Sequence, residues 1–389
     1  MSLNSCFPPF WGWVFRAAVG CSLAVLLVFA NPARSLDRRL VSEFEASGFI
    51  GISEDLITAN YHVTSLIKGI FSAQAKVWVL IRPKTNPAHL RKILRDGGLT
   101  NLELEGVKFV TIAHGGPWLR DFGPQFLLEF GSITSQQMSL ALADPIYLDP
   151  SDPGSDLLPK EVGRLLHSPV IPLSFDLDGG NLLTAGQICV TSHMQENEAL
   201  GPDSKKALRD LGCTTLIDLD NAPHIHVDMW VKFVSRDLAL VHELDQRTIN
   251  KAKEYFGGVP ENVVRLKFVL DQKAEELSRH IRVRRLPLPL PYRNVFRSYT
   301  NALLVNGSAI VPRYEHFGWT QEHYPDQSLM KEYEKSVEKT YQDAGFKVIW
   351  VNGDALIYNG GGFRCATFQI PRLDSIISQG KGFQGGRTL

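Results

Sequence analysis

From Val77 onward, short runs of β-branched and aromatic residues alternate with longer polar stretches of helical spacing, the pattern of a mixed α/β chain. The runs predict strands at 77–81, 107–112, 126–130, 188–192, 214–219, 238–243, 263–270, 301–305, 309–312 and 347–351. Helices are predicted over Pro87–Arg95, Ser204–Leu211, Gln246–Phe256, Asp271–His280 and Tyr324–Ala344, the last carrying the clearest helical charge pattern. The basic stretch His280–Arg285, followed by LPLPLPY, reads as a solvated connector.

A faint repeat runs through this pattern. Five times an apolar run enters a short loop rich in Gly, Asp, Asn or His, and a second apolar run follows: 111–130, 171–192, 216–234, 297–312 and 348–371. If equivalent units pack around an axis, their polar loops converge. One pole then carries Asp121, Asp178, His226, Asp228, Asn301 and Cys365, a set drawn from distant parts of the chain. No Walker loop occurs, and the Gly360–Gly362 run leads into Cys365 rather than into a phosphate-cradling helix.

Composition narrows the function classes. Lys plus Arg and Asp plus Glu both number 41, so no long-range field selects nucleic acid or an anionic membrane as a partner. Arg16 followed by the uncharged run Ala17–Ala30 reads as a signal peptide cleaved after Ala30, with an uncleaved membrane anchor as the alternative. Both place the catalytic body, 37–372, outside the cytoplasm, and 373–389 reads as a flexible tail. With Cys6 and Cys21 in the leader, the body holds Cys189, Cys213 and Cys365, an odd number that leaves at least one free or intermolecular thiol.

Cys365 follows three glycines that permit tight turns and close ligand approach, and it precedes the apolar strand ATFQIP. A thiol there is a candidate nucleophile if a cation favours the thiolate, and a bound guanidinium or a protonated His226 would serve. His224, His226 and Asp228 share a face if HIHVD is extended, which leaves open a metal site or a structural histidine. Asp121 sits in the constrained loop GGPWLRDFGP; two carboxylates in one pocket call for a cation, and a planar guanidinium accepts carboxylates on both edges.

WLRDFGP, DGGN, HVDMW, YTNALLVNG and GGGFRCATFQIP, in this order over Trp118–Pro371, resemble the bacterial, Porphyromonas-type peptidyl-arginine deiminases and the related agmatine deiminases. The resemblance implies a pentein fold, a five-bladed α/β propeller of ββαβ-type repeats around a pseudo-fivefold axis. It also implies that Cys365 attacks the guanidinium carbon, that Asp121 and Asp228 hold its nitrogens, that His226 is acid and then base, and that Asn301 orients thiol or substrate. Trp118, Arg120, Asp178, Gly179, Gly180, Asn181 and Gly362 would line the substrate pocket. No metal or organic cofactor is implied, and the partner would be an arginine-containing peptide or protein, or a small guanidine.

The chain departs from that pattern at Asp178, where agmatine deiminases usually have Glu, and at Arg364, where many relatives have His. The acidic loop 149–156 also lacks an arginine pair of the kind some peptidyl enzymes use for a substrate's terminal carboxylate, and Asp149 and Asp152 are free to face solvent or an amine.

Overall fold

The strands gather into five separate sheets whose connections follow one rule. The computed structural model describes residues 37–374 apart from 60–62, 132–137, 148–153, 292–294 and 315–326. Asp149, Asp152, the leader and the tail beyond Asp374 therefore lie outside the described residues. Among the described residues no helix is long and apolar enough to cross a membrane.

In each sheet two antiparallel strands are followed by a helical crossover to a parallel strand, as right-handed βαβ chemistry favours. In the first sheet, Gln125–Phe130 pairs antiparallel with Met138–Ile146, which pairs parallel with Val170–Asp176 across the helix Leu158–Leu166. The second repeats this with Leu183–Ala185, Ile188–Ser192 and Thr215–Leu219, and the third with Val231–Ser235, Leu238–Glu243 and Arg282–Pro287. Leu303–Val305, Ser308–Arg313 and Lys347–Asn352 form the fourth. The fifth joins the two ends of the domain: Thr367–Pro371 pairs antiparallel with Ser47–Ser53, which continues through parallel strands Lys76–Ile81 and Val107–Thr111.

Each of the five polar loops read from the sequence carries the chain from the last strand of one sheet to the first strand of the next. That is why residues far apart in the sequence can meet. Apolar side chains fill the space behind the loops, with Trp230, Tyr299, Tyr333 and Tyr341 fully buried in the largest cluster.

Two elements differ from the sequence expectation. The run 263–270, expected as a strand, is the first half of one helix, Glu261–Ser278, which also absorbs the helix expected from Asp271. Its buried positions, Val263, Leu270, Lys273, Ala274 and Leu277, keep helical spacing, while Val264 and Phe268 face solvent, so tertiary packing overrides the local β-branched composition. The basic stretch expected as a connector is instead an edge strand, Arg282–Pro287, with Leu286 and Pro287 buried, Arg282 and Arg284 exposed and Arg285 half-buried. Cys189 and Cys213 form a disulfide, which leaves Cys365 as the free cysteine among the described residues.

Candidate active site

The loops bring Cys365, Asn301, Asp228, His226, Asp121 and Asp178 into one cluster. Cys365 is 4 % exposed at the end of the glycine run. Asn301 clamps it from two sides: its Nδ2 donates to the sulfur at 3.1 Å, and its Oδ1 accepts the Cys365 backbone N–H at 3.2 Å. A Cβ on Gly362 would meet Asn301 Oδ1 at 2.7 Å, so glycine there allows the clamp to close.

Asn301 is itself placed by a buried histidine that the sequence reading passed over. His242 Nδ1 donates to the carbonyl of Leu286 at 3.2 Å, and its Nε2 accepts the backbone N–H groups of Tyr299 and Thr300 at 3.1 and 3.2 Å. Burial pulls this imidazole down to about 3, so it stays neutral and keeps that one tautomer. The Thr300 hydroxyl then donates to the carbonyl of Asp228 at 3.2 Å, tying the asparagine loop to the HVDM turn.

Asp228 is fully buried below the sulfur, with its carboxylate oxygens 3.6 and 3.9 Å from Cys365 Sγ. Its Oδ2 also accepts from Arg364 Nη1 at 2.7 Å. Arg364 points from the position before Cys365 into the core, where it further donates to the carbonyls of Gly179 and Leu182 and to Glu43. Glu43 bridges on to Lys232, 2.5 Å away and fully buried in the strand Val231–Ser235. A lone lysine inside the apolar run WVKFV was the available signal for this network; Glu43 gave none.

On the solvent side, the His226 ring lies between two carboxylates, with Nε2 3.0 Å from Asp178 Oδ2 and Nδ1 3.5 Å from Asp121 Oδ1. A Cβ on Gly180 would sit 2.5 Å from that Asp121 oxygen and 2.6 Å from His226 Nδ1, so the glycine is what lets the two approach. Asn181 pins the DGGN turn rather than facing the histidine: its amide bonds Ser192 on both faces and receives the backbone N–H of Val227 at 3.2 Å. The Trp118 ring covers Gly361 beside Cys365. Arg120 is buried, and its side chain lines a small separate cavity.

His224 does not join His226 and Asp228 as a ligand set. Its Nδ1 accepts the His226 backbone N–H at 3.3 Å, its ring packs on Phe296, and burial with the nearby His226 lowers it to about 4. Among the described residues no group of three or more His, Cys, Asp or Glu is arranged to hold a metal ion.

The model of the family described as Porphyromonas-type peptidyl-arginine deiminase matches residues 50–371. The chain belongs to that family. It is a hydrolase of the deiminase type, acting on guanidino carbon–nitrogen bonds, and its α/β fold is related to the pentein superfamily. Among solved structures, the agmatine deiminase of C. jejuni superposes with a TM-score of 0.63 at 17% identity, covering 86% of this chain and 96% of that one. The agmatine deiminase of Enterococcus faecalis gives the same TM-score, identity and coverage. At such identities these likenesses speak for the fold. No curated protein matches the chain.

The electrostatics of this deiminase separate its groups by role. Burial alone would lower His226, but the Asp178 hydrogen bond, a hydrogen bond with Cys365 and the Asp121 and Asp228 charges push it up to about 12, so the ring is an imidazolium at neutral pH. Burial and its carboxylate neighbours raise Asp121 to about 7, against the pull of His226 and Arg120. Burial and the Asp228 charge push the Cys365 thiol up, only partly offset by His226. Without substrate, the sulfur is therefore held as a thiol beside an acid that is already charged.

Proposed function

We propose that this deiminase converts peptidyl-arginine to peptidyl-citrulline through a covalent intermediate on Cys365. The observation that carries the reading is the pairing of a clamped thiol with an imidazolium flanked by carboxylates. Each feature suits one step.

A substrate guanidinium entering between Asp121 and the Asp228 Oδ1 that Arg364 leaves open brings a positive charge to the unpaired Asp121 carboxylate, and it lowers the cost of forming the thiolate. The Cys365 proton passes to solvent, from which the sulfur recovers one at the end of the cycle, and the Sγ thiolate attacks the guanidinium carbon to form a tetrahedral adduct. His226 gives its Nδ1 or Nε2 proton to the departing nitrogen, the C–N bond breaks, and ammonia leaves an S-alkylthiouronium. The imidazole, now neutral, takes a proton from water as the hydroxyl attacks the same carbon; the C–S bond then breaks to release a ureido group and regenerate the sulfur. One water is consumed and one ammonia formed. Asp178 holds the ring in place for both transfers, and we read the five sheets as blades around a pseudo-fivefold axis whose pole carries these groups.

The leader read from the sequence favours a peptidyl substrate outside the cytoplasm. A second reading, agmatine to N-carbamoylputrescine, draws on the acidic 149–156 stretch, which lacks an arginine pair for a peptide carboxylate. Ureido product formation by residues 31–389 with arginine peptides and with agmatine separates the two. Turnover that is lost in Cys365→Ala and survives a chelator supports the mechanism, and chelator-sensitive turnover contradicts it.

A further inference from the structure

Beside the candidate site lies a small, partly enclosed cavity of about 30 Å³ lined by Arg120, Gln125, Gln369, Ser42, Ser47 and Glu43 among others. That is room for one monatomic anion or one to two waters. Arg120 is only 6 % exposed, and among the described residues no partner meets its Nε or Nη2; the Nε2 of Gln125, at 9 % exposure, is likewise unmet. The Ser42 and Ser47 hydroxyl oxygens accept from Gly186 N–H and Gln369 Nε2 at 3.0 and 3.2 Å, so their own hydrogens are free to turn toward the cavity. Gln369 is held by its Nε2, which also donates to the carbonyls of Leu304 and Glu43, and its Oε1 is the one unmet acceptor at the site.

Donors therefore outnumber acceptors around a buried, permanently charged guanidinium. The Glu43 carboxylate does not answer this charge, because its two oxygens are taken by Lys232 and Arg364. A water can repay the hydrogen bonds of Arg120, whereas an anion would also place a negative charge in direct contact with the buried cation. Asp121 and Asp228 attract Arg120 through space, yet neither forms an ion pair with it.

We propose that this cavity is a halide-type anion site, in which a chloride ion is held by Arg120 Nε and Nη2, Gln125 Nε2 and the two serine hydroxyls. The site is independent of the substrate chosen by the catalytic cluster. By screening Arg120 from Asp228 and Cys365, the bound anion would weaken the field that favours the thiolate, so occupancy and thiol reactivity are linked.

Crystals grown in sodium bromide test the assignment directly. The expected result is an anomalous peak inside the cavity within hydrogen-bond distance of Arg120 Nε and Gln125 Nε2; a water there, with bromide elsewhere, overturns it. In solution, replacing gluconate by chloride at constant ionic strength is expected to raise the melting temperature of the wild type. Gln125→Glu, which supplies a carboxylate to Arg120 from within the chain, is expected to abolish that chloride response, and a response of equal size in the variant would overturn the assignment.

Discussion

Two layers of charge meet at Cys365, and they are built in opposite ways. The upper layer, Asp121, His226 and Asp178, keeps some access to solvent, with side-chain exposures of 13, 15 and 36 %. Its oxygens are not all committed, since Asp121 Oδ1 is buried without a hydrogen-bond partner. The lower layer, Asp228, Arg364, Lys232 and Glu43, is almost dry and tightly paired. An uncommitted carboxylate beside an imidazolium is suited to receive a cation and move protons. The paired network moves no protons, but it fixes where the glycine turn at Gly179 and Asp228 stand, leaving only the Asp228 Oδ1 without a cation. The contrast teaches that the substitution of Arg for the usual His before the nucleophile adds a structural tie below the site, not a cation facing the substrate.

Substitutions in the two layers should separate these roles. Cys365→Ala should lower turnover by more than about 10³-fold with little change in melting temperature, since the group lost is the proposed nucleophile and the void is small. His226→Asn should cost about 10² to 10⁴-fold in kcat, the usual worth of a positioned acid, again with the fold intact in circular dichroism. In the lower layer the order reverses: Arg364→Met leaves Asp228 buried without its cation and Glu43 with Lys232 alone, and should cost about 3 to 5 kcal/mol in denaturant unfolding. If Arg364→Met changed kcat alone, the division between layers would fail.

The acid limb of the pH profile sharpens the comparison further. Because Asp121 must be ionised to receive a guanidinium, kcat/KM should rise through about pH 7, and the limb should move to lower pH in kcat, where bound cation favours the carboxylate. The sign for stability is opposite. A carboxyl raised from 3.8 to about 7 on folding contributes stability that is complete below the lower value and is lost as pH rises through the upper one. Asp121→Asn should flatten that loss. At the far end of the scale, Lys92→Ala removes an exposed pair with Asp96, both more than half exposed, and should change stability by less than about 0.5 kcal/mol.

Much of the candidate site was legible in the sequence because its residues sit in short loops marked by glycine, between strands marked by β-branched residues. The repeat alone brought Asp121, Asp178, His226, Asp228, Asn301 and Cys365 to one pole, and the structure gathers those six side chains. The supporting layer was not legible. His242 and Lys232 look like ordinary strand residues until their burial is known, and Glu43 lies in an unmarked turn far from every motif. Asp178, expected to line the pocket, also lies with its Oδ2 3.0 Å from His226 Nε2, a contact that spacing in the sequence does not reveal. The helix Glu261–Ser278 was misread because its apolar face and a buried strand have similar composition over eight residues.

The most direct test of the account is acid-quenched peptide mapping of the enzyme during turnover of an arginine peptide. The account predicts a transient adduct on the peptide containing Cys365, with the mass of substrate less ammonia, that disappears as the ureido product accumulates. Product formed at full rate with Cys365 unmodified throughout, or by Cys365→Ala, would contradict it.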